Sequence, residues 1–546
     1  MGKPSSKQFT IVFLLFLTLH AKSQVTLTST NLPIVKINTK GQKISDTVKI
    51  VADMGITWHG TGVVNSITDE SNDYNGKINI KYRGTSSLEF PKKPYKIETI
   101  DDAGDEINVP ILGMPQENDW VLIAPYNDKS LIRDVLTLEL YSKMRRYSPR
   151  ARFCELVLNG NYIGVYVLAE SVKRDKNRID IAKLQPTENS GDDLTGGYII
   201  KVDRPESNEP TWESLTYSCS DGSPAFNYLY DYPKSDEITE TQSDYIRNYL
   251  YSFESALTSS NYTDPFFGYN SYIDAGSFVD YILISELSKD ADRYKYSVFM
   301  YKDKESNGGK LTLGPIWDSN LGYGNSEATA DSFCTTRHWC YTPCYKMYWF
   351  RRLMEDPAFV TKLNIRWNSL RKNAYSNGKV SGIIDSLSTM LATAQERNFQ
   401  KWPILGKYVW PNQFIGQTFN EEIDFVKNWT LERMAWMDAQ LPDTIDTEPD
   451  RIPEFANADF RLFPNPFSSG LRLECTTYNP VNNLTIEIYN VTGTKITSIP
   501  INVYSQHISA DLFQLQPGLQ YLNRGIYIAK IYFDGNIIKS VKLIKE

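Results

Sequence analysis

Two short clusters, each with one aspartate, carry the residues best suited to chemistry in this 546-residue chain. They are residues 292–297 (DRYKYS) and 317–322 (WDSNLG). A predicted hairpin separates them, and because its strands run out and back, it should bring Asp292 and Asp318 to the same end. Converging carboxylates suit a divalent metal, or a base beside a metal ligand. The alternative is that each aspartate only forms or caps a turn.

A third cluster combines a glycine, hydroxyls and cations. It is residues 83–87 (RGTSS), followed by Lys92, Lys93 and Lys96. Glycine lets the backbone approach an oxyanion, and cationic side chains neutralise phosphate. The spacing is not that of a Walker loop. An ordinary hairpin turn with solvated lysines is the alternative interpretation.

A fourth feature is Glu170, at the end of a predicted strand and followed by Lys173 and Arg174. It is either a buried carboxylate that positions a lysine or part of a weak surface ion pair. Together the four clusters contain the parts that phosphoryl transfer needs: cations for the phosphates, a carboxylate for Mg²⁺, and a carboxylate for the acceptor hydroxyl. In protein kinases an asparagine follows the catalytic aspartate after five residues, and here Ser297 stands five residues after Asp292.

The elements that position these clusters change character along the chain. Alternating apolar residues predict strands over 25–70 and 77–100, and Asn159-Gly160 predicts the turn of a hairpin over 153–170. Apolar spacing predicts a helix over 130–146, capped at Asp128 or Ser130. Further helices are predicted at 236–258, 274–289, 348–372, 378–400 and 419–441, with a strand pair at 297–302 and 310–313. A β-rich front and a helical back indicate an α+β fold.

Four segments follow from composition. Residues 1–24 are predicted to be a secretory signal peptide, with basic Lys3 and Lys7 before an apolar core that is too short to span a bilayer. The alternative is a buried N-terminal helix. Residues 25–441 form the main domain, the acidic, proline-bearing stretch 442–460 a linker, and 461–546 a small all-β sandwich.

The charge and the hydropathy exclude two classes of protein. The net charge is −7, whereas proteins that bind nucleic acid through phosphate neutralisation are usually basic. No later stretch reaches the length of a transmembrane helix. We therefore expect no nucleic-acid partner and no transmembrane helix.

Six cysteines are present, at positions 154, 219, 334, 340, 344 and 475. Cys334, Cys340 and Cys344 lie close together around His338, which suggests either zinc or a local disulfide. The spacing matches no common zinc pattern, so we predict a loop closed by a disulfide, without a defined pairing.

In order along the chain, several motifs resemble the CotH-type (spore-coat CotH) family of atypical, secreted protein kinases, over roughly residues 32–441. The matching stretches are 82–87 (YRGTSS), 90–93 (FPKK), 119–122 (DWVL), 128–133 (DKSLIR), 158–166 (LNGNYIGVY) up to Glu170, 196–198 (GGY), Asp292, and 314–318 (GPIWD).

The resemblance implies an atypical protein-kinase-like domain with a β-rich N-terminal part and a helical C-terminal part. It also implies transfer of the ATP γ-phosphoryl group to Ser/Thr of secreted or surface proteins, with Mg²⁺ or Mn²⁺ as metal. On this interpretation Asp292 is catalytic, and the metal ligands are Asp318, Asn320 and Ser297. Nucleotide binding is expected from Arg83, Ser86, Lys92, Lys93, Lys96 and Glu170, with Glu170 pairing with one of the lysines.

Two departures keep other functions open. Asn320 stands where the family often has a second aspartate, and Ser297 stands in place of an asparagine. Both changes weaken a metal site, although a neutral oxygen can still coordinate Mg²⁺. A catalytically weak pseudokinase, or a surface binding or scaffold protein, is therefore the alternative. A glycan-binding module is supported only by the aromatic content.

The C-terminal region resembles the type A sorting domain of the type IX secretion system of Bacteroidetes. The motifs are 463–466 (FPNP), 488–493 (IYNVTG) and 525–527 (GIY). This resemblance implies a β-sandwich address label, the type IX secretion machinery as a partner, and a location outside the cell or on its surface, reached through the periplasm and the outer membrane. An unrelated carbohydrate-binding sandwich is the alternative.

Overall fold

The computed structural model describes residues 25–442 and 459–546, apart from 206–208, 218–225, 265, 328–332, 482–483, 503–504 and 534–535. The predicted signal peptide and nearly all of the predicted linker lie outside these residues. Described residues up to 442 belong to one compact unit and those from 459 onward to another.

The first unit begins with a closed barrel, joined in the order β10-β11-β9-β6-β5-β3-β2. Alternate residues of these strands, such as Ile97, Trp120 and Leu168, are buried in one apolar core inside the barrel. The strands of this region are β1 (Ser29–Thr30), β2 (Ile34–Asn38), β3 (Ile50–Thr57), β4 (Asn65–Ser66), β5 (Tyr74–Tyr82), β6 (Tyr95–Ile100), β7 (Val109–Ile111), β8 (Met114–Glu117), β9 (Asp119–Ile123), β10 (Ala151–Leu158) and β11 (Asn161–Glu170).

The outer face of β9 and β11 contributes to a second and larger core, which the helices complete. Val121, Val165 and Val167 belong to it together with residues of every long helix. The helices are α1 (Arg133–Ser142), α2 (Gly191–Leu194), α3 (Glu240–Thr258), α4 (Ala275–Ser288), α5 (Tyr348–Leu353), α6 (Pro357–Lys372), α7 (Asn377–Leu391), α8 (Ala394–Lys401) and α9 (Phe419–Gln440).

A five-stranded antiparallel sheet in the order β13-β14-β12-β15-β16 completes this unit. Its strands are β12 (Tyr198–Val202), β13 (Thr211–Glu213), β14 (Asn227–Tyr232), β15 (Val298–Lys302) and β16 (Thr312–Leu313). The predicted hairpin is β15–β16, paired through Met300 and Leu313. Helix α4 is buried along almost its whole length and leads directly into the segment before β15.

The second unit consists of two sheets, ordered β17-β18-β21 and β20-β19-β22-β23. Leu473 of one sheet and Ile486 of the other belong to the same apolar core, as in a sandwich. The strands are β17 (Asp459–Phe463), β18 (Arg472–Val481), β19 (Leu484–Asn490), β20 (Lys495–Ile501), β21 (Ser505–Asp511), β22 (Gly525–Phe533) and β23 (Asn536–Lys545), and one short helix, α10 (Leu512–Leu515), follows β21.

The α+β class is confirmed, while the assignment to a kinase-like fold stays a prediction. Two predicted details are wrong. The helix expected over 130–146 begins only at Arg133, with Ile132 rather than Asp128 or Ser130 at its cap position. Asp128 nevertheless accepts hydrogen bonds from the backbone N–H groups of Ser130 (3.0 Å) and Arg133 (2.9 Å), so it orders the chain just before the helix.

The predicted disulfide within the cysteine cluster is also wrong. Cys334 and Cys340 are free thiols, so no bridge joins two of the three clustered cysteines. Cys344 is disulfide-bonded, but to neither of these two. Cys340 is buried, and its thiol donates to the carbonyl of Asp290 at 3.4 Å. The zinc alternative has no support either: within the described ranges, no group of three or more His, Cys, Asp or Glu side chains is arranged to hold a metal ion.

Candidate functional site

The segment 289–297, between α4 and β15, carries Asp292 and is held from behind by a buried lysine. The Lys346 ammonium is fully buried and donates to the backbone carbonyls of Ala291 and Arg293, the latter at 2.8 Å. Burial lowers the pKa of Lys346, and the nearby carboxylates of Asp292 and Asp290 oppose that shift. Because the lysine bonds to backbone carbonyls, it fixes the segment without forming a hydrogen bond to the Asp292 carboxylate.

The segment 317–322, which follows β16, is tied to the first segment by Arg293. Its buried guanidinium donates to the carbonyls of Trp317 (2.9 Å) and Asp318 (3.2 Å) and to Ser319 Oγ (2.9 Å). In addition, the Asp290 carboxylate accepts from the N–H of Leu321 at 2.9 Å. The hairpin therefore does bring the Asp292 and Asp318 segments together, and hydrogen bonds of Arg293 and Asp290 join them.

The Asp318 carboxylate is free to bind a ligand. Its side chain is exposed to solvent, and none of the described residues donates a hydrogen bond to it. The surrounding protein nevertheless displaces much of the water, which is the main reason its pKa is raised. The charge of Arg83 opposes this shift, while the carboxylates of Asp292 and Asp203 add to it. Asp318 and Asp292 are therefore electrostatic neighbours.

Backbone conformation marks the same two segments. Tyr294, Ser297 and Asp318 have φ values of 63°, 54° and 56°. Residues other than glycine rarely adopt this left-handed conformation, and such strain concentrates at functional sites. Ser297 lies immediately before β15 and is only 8% exposed.

Arg83 is the residue of the glycine-containing turn that reaches the acidic segments. Its guanidinium lies 5.5 Å from the ring centroid of Trp317. Burial lowers the pKa of Arg83, and the carboxylates of Asp318, Asp203 and Asp134 oppose the shift. Gly84 has φ +94°, and a Cβ there would lie 2.1 Å from Ser87 Oγ, so the turn needs glycine at this position. The neighbouring Ser86 is exposed.

The three predicted lysines have other partners. Lys92 is buried inside the first unit, where its ammonium donates to the carbonyl of Val165 (2.5 Å) and to Asn398 Oδ1 (3.0 Å). Lys93 bonds the carbonyl of Leu88 within its own turn. Lys96 forms ion pairs with Glu98 at 2.9 Å and with Asp119 at 3.4 Å. The structure thus brings Arg83 to the aspartates and engages the lysines elsewhere.

Glu170 is fully buried at the end of β11, and arginine is its partner. It accepts from the Arg150 guanidinium at 2.7 Å and from the Arg150 N–H at 2.9 Å, and Arg178 lies 4.0 Å away. The expected pairing with Lys92, Lys93 or Lys96 is therefore not observed.

Asn320, a predicted metal ligand, lies beside Asp318 in the sequence. Its Nδ2 donates to Asn127 Oδ1 at 3.2 Å, which ties the segment to the chain before α1. Mg²⁺ typically uses one or two carboxylates together with phosphate oxygens and water, so it does not require a cage of three protein ligands. An accessible Asp318 carboxylate among further acids fits such an ion.

Several residues of this site escaped the sequence analysis. Asp134 in the first turn of α1 accepts from the Ser319 N–H at 2.7 Å, and burial together with the Asp318 charge raises its pKa. Burial and the charges of Asp292 and Asp318 raise the pKa of Asp290 to about 7, against the effect of Arg293. The signal for Asp290 was its place two residues before Asp292. No local pattern distinguished Asp134 from an ordinary helix-terminal acid.

The end of β12 supplies the last two missed residues. The Asp203 carboxylate accepts from the Arg204 N–H at 2.8 Å. Burial raises the pKa of Asp203, and this hydrogen bond and the charge of Lys201 oppose the shift. The Arg204 guanidinium lies 3.9 Å from Asp292 Oδ2 and 4.1 Å from the ring centroid of Tyr296. Strand β12, which begins within the 196–198 motif, leads directly to these residues, and this was the available signal.

Comparison with known proteins agrees with these motifs. The family model described as CotH kinase protein matches residues 80–437, so the chain belongs to the CotH kinase family. A second model, the secretion system C-terminal sorting domain, matches residues 461–546. Both resemblances inferred from the sequence are confirmed. The type IX sorting domain marks the chain for secretion to the cell surface or beyond it.

Among individual proteins, the inner spore coat protein H of Bacillus subtilis (strain 168) is 34% identical over 99 residues. That match covers 17% of this chain and 24% of the relative, so the chain spans about a quarter of the relative's length. In the part of the chain that the structure describes, no helix has the length and apolar character required to cross a membrane.

Proposed function

We propose that this exported protein is an atypical protein kinase, which transfers the γ-phosphoryl group of ATP to Ser/Thr of secreted or surface proteins. The observation that carries the proposal is the joining of the Asp292 and Asp318 segments by one buried arginine, Arg293, with the carboxylate of Asp318 left accessible. A metal side and an acceptor side next to each other are what in-line phosphoryl transfer requires.

Each residue then has a role in the transfer. Asp292 orients the acceptor hydroxyl and receives its proton, and Arg83 neutralises phosphate charge opposite Asp318. Asp318, aided by Asn320 and Ser297, would hold the metal, which would supply positive charge against the phosphates. Arg293, Lys346 and Asp290 keep these groups in register and do not touch the substrate. A kinase-like arrangement of barrel and helical part belongs to the same proposal.

The test uses the full exported chain with labelled ATP and Mg²⁺ or Mn²⁺, and measures label on the protein itself and on a generic Ser/Thr-containing acceptor. Asp292→Asn and Asp318→Asn should each reduce labelling by about 1,000-fold, because they remove proton acceptance and the metal carboxylate. The matched control is Asp438→Asn. Asp438 lies on α9 and forms an ion pair with Arg371 of α6, and this variant should label normally. Undiminished labelling by both site variants would overturn the assignment.

A non-catalytic scaffold is the second candidate, and the two departures from the family pattern favour it. Ser297 is nearly buried, and the Asn320 amide is engaged with Asn127. If the parent chain binds no nucleotide and transfers no label with either metal, the scaffold is the correct function.

We further propose that residues 461–546 direct the chain through the type IX secretion machinery. Deleting them should leave the protein in the periplasm of its host, because the address label is removed while the first unit is unchanged. Cell fractionation measures this outcome. Continued export of the shortened chain would contradict the proposed role.

A further inference from the structure

The predicted lysines do not supply a cation for the transferred phosphoryl group. Phosphoryl transfer builds up negative charge on the transferred group, and cations aimed at that group lower the barrier. Lys92 and Lys93 bond backbone carbonyls, and Lys96 pairs with carboxylates. The Arg83 guanidinium lies 5.5 Å from the ring centroid of Trp317, the residue before Asp318, and so belongs to the metal side. None of these four cations therefore lies at the acceptor side.

Arg204, just after β12, lies at the required place. Its Nη2 is 3.9 Å from Asp292 Oδ2, and both side chains are partly exposed, at 41% and 36%. An ion pair this long and this exposed contributes little free energy. The guanidinium can therefore leave Asp292 for a stronger anion without a large loss. Packing over the Tyr296 ring at 4.1 Å restricts its position meanwhile.

The anchoring of Arg204 also favours a role in the reaction. The preceding residue, Asp203, accepts from the backbone N–H of Arg204 at 2.8 Å. Strand β12 pairs with β15 through Val202 and Val298, so the end of β12 is fixed beside the segment that carries Asp292. A guanidinium presents paired N–H donors that match two oxygens of a phosphate, whereas an ammonium offers only a point charge.

We infer that Arg204 is a catalytic residue that binds the γ-phosphoryl group and stabilises its charge during transfer; this inference rests on the proposed kinase function. In the step, the acceptor oxygen forms a bond to the γ-phosphorus while the bond to the β–γ bridging oxygen breaks. The acceptor proton passes to Asp292, and the electron pair of the broken bond leaves with ADP. Arg204 donates hydrogen bonds throughout and keeps its protons.

The first test is binding, measured by calorimetry on the full chain with Mg²⁺. Arg204→Gln should weaken binding of a β,γ-imido ATP analogue by about ten-fold, because a charge-assisted contact to the γ-phosphate is lost. Its affinity for ADP, which lacks that phosphate, should not change. Arg247→Gln is the matched control, since Arg247 on α3 also forms a long, exposed ion pair, with Asp244 at 3.8 Å. It should bind both nucleotides like the parent.

The second test separates a catalytic role from acceptor binding. In the labelling assay Arg204→Gln should reduce kcat by about 100-fold or more with a similar KM for the acceptor, and Arg204→Lys should recover only part of the loss. Parental labelling by Arg204→Gln, equal weakening of the analogue and ADP, or a change confined to the acceptor KM would each overturn the inference. A parent that binds the analogue but transfers nothing would instead refute the kinase function, and the analogue-to-ADP ratio would still decide whether Arg204 contacts the γ-phosphate.

Discussion

The fold holds the aspartate-bearing segments 289–297 and 317–322 in a different way from the basic segment 83–96. In the aspartate-bearing segments, buried cations bond to backbone carbonyls, as Arg293 and Lys346 do, and leave the Asp318 carboxylate accessible. In the basic segment, the lysine side chains themselves are consumed by carbonyls and carboxylates. In this protein, a charged side chain therefore stays available for chemistry where its segment is fixed through backbone contacts. A charged side chain that itself makes the fixing contacts does not.

Among these predictions, removal of Arg293 should have the largest effect on the aspartate-bearing segments. Arg293→Met leaves two buried carbonyls and Ser319 without their donor, and should lower the free energy of unfolding by about 3–5 kcal/mol. Labelling per folded molecule should fall about 100-fold, since the two aspartates lose their common anchor. Chemical denaturation and the labelling assay measure the two effects.

Arg433→Met is the control for this prediction. Arg433 is equally buried and pairs with Glu286 at 3.0 Å behind the site, so its loss should cost similar stability. Labelling per folded molecule should stay within a few fold of the parent. If both variants lost labelling to the same degree, Arg293 would have no special role in joining the segments.

A comparison within the basic segment sharpens the contrast between its arginine and its lysines. Arg83→Met should weaken binding of Mg²⁺-ATP by about ten-fold or more, because the Arg83 guanidinium lies over Trp317 beside Asp318 and is proposed to bind phosphate. Lys93→Met should change binding by less than about two-fold, because its ammonium bonds the Leu88 carbonyl in its own turn. Calorimetry on both variants measures the difference. A larger loss for Lys93→Met than for Arg83→Met would show that the turn rearranges around nucleotide.

The pH dependence of stability tests whether Lys92 is structural. Burial lowers the pKa of Lys92 from 10.5 to about 7, with only weak opposition from Cys154 and Asp128. Between these two values the unfolded chain holds a proton that the folded chain lacks, so stability rises with pH across this window. The contribution is about 1.4 kcal/mol per pH unit for one proton.

Lys92→Met should remove that contribution. Thermal unfolding of the first unit at pH 7, 8 and 9 should show the parent gaining stability relative to the variant at each step. Labelling by Lys92→Met should remain near the parental rate. Parallel pH profiles would show that the ammonium is not desolvated as described, and loss of labelling would return Lys92 to the nucleotide site.

Much of the helical part was predictable, because its signals are local. The expected helices over 236–258, 274–289 and 419–441 occur as α3, α4 and α9 with ends shifted by a few residues at most. The expected helix over 348–372 is divided, since Asp356 caps a new helix that has Pro357 at its first position. This cap was present in the sequence as Asp-Pro.

The site was predictable only in part. Asp292 and Asp318 could be related through the hairpin between them, which is a local element. The partners of Lys92 could not be foreseen, because Asn398 lies 306 residues away along the chain. Likewise, Asp203 and Arg204 come to the site only through pairing of β12 with β15. Long-range pairing decided which charges converge, and single-sequence patterns do not encode it.

The central claim is that Asp318 and its neighbours form a site for metal and nucleotide. Calorimetric titration of ATP into the full chain, with and without Mg²⁺, tests it most directly when the parent is compared with Asp318→Asn. We predict binding by the parent that strengthens with Mg²⁺, and loss of this strengthening in the variant. Equal Mg²⁺ dependence in both proteins would contradict the account.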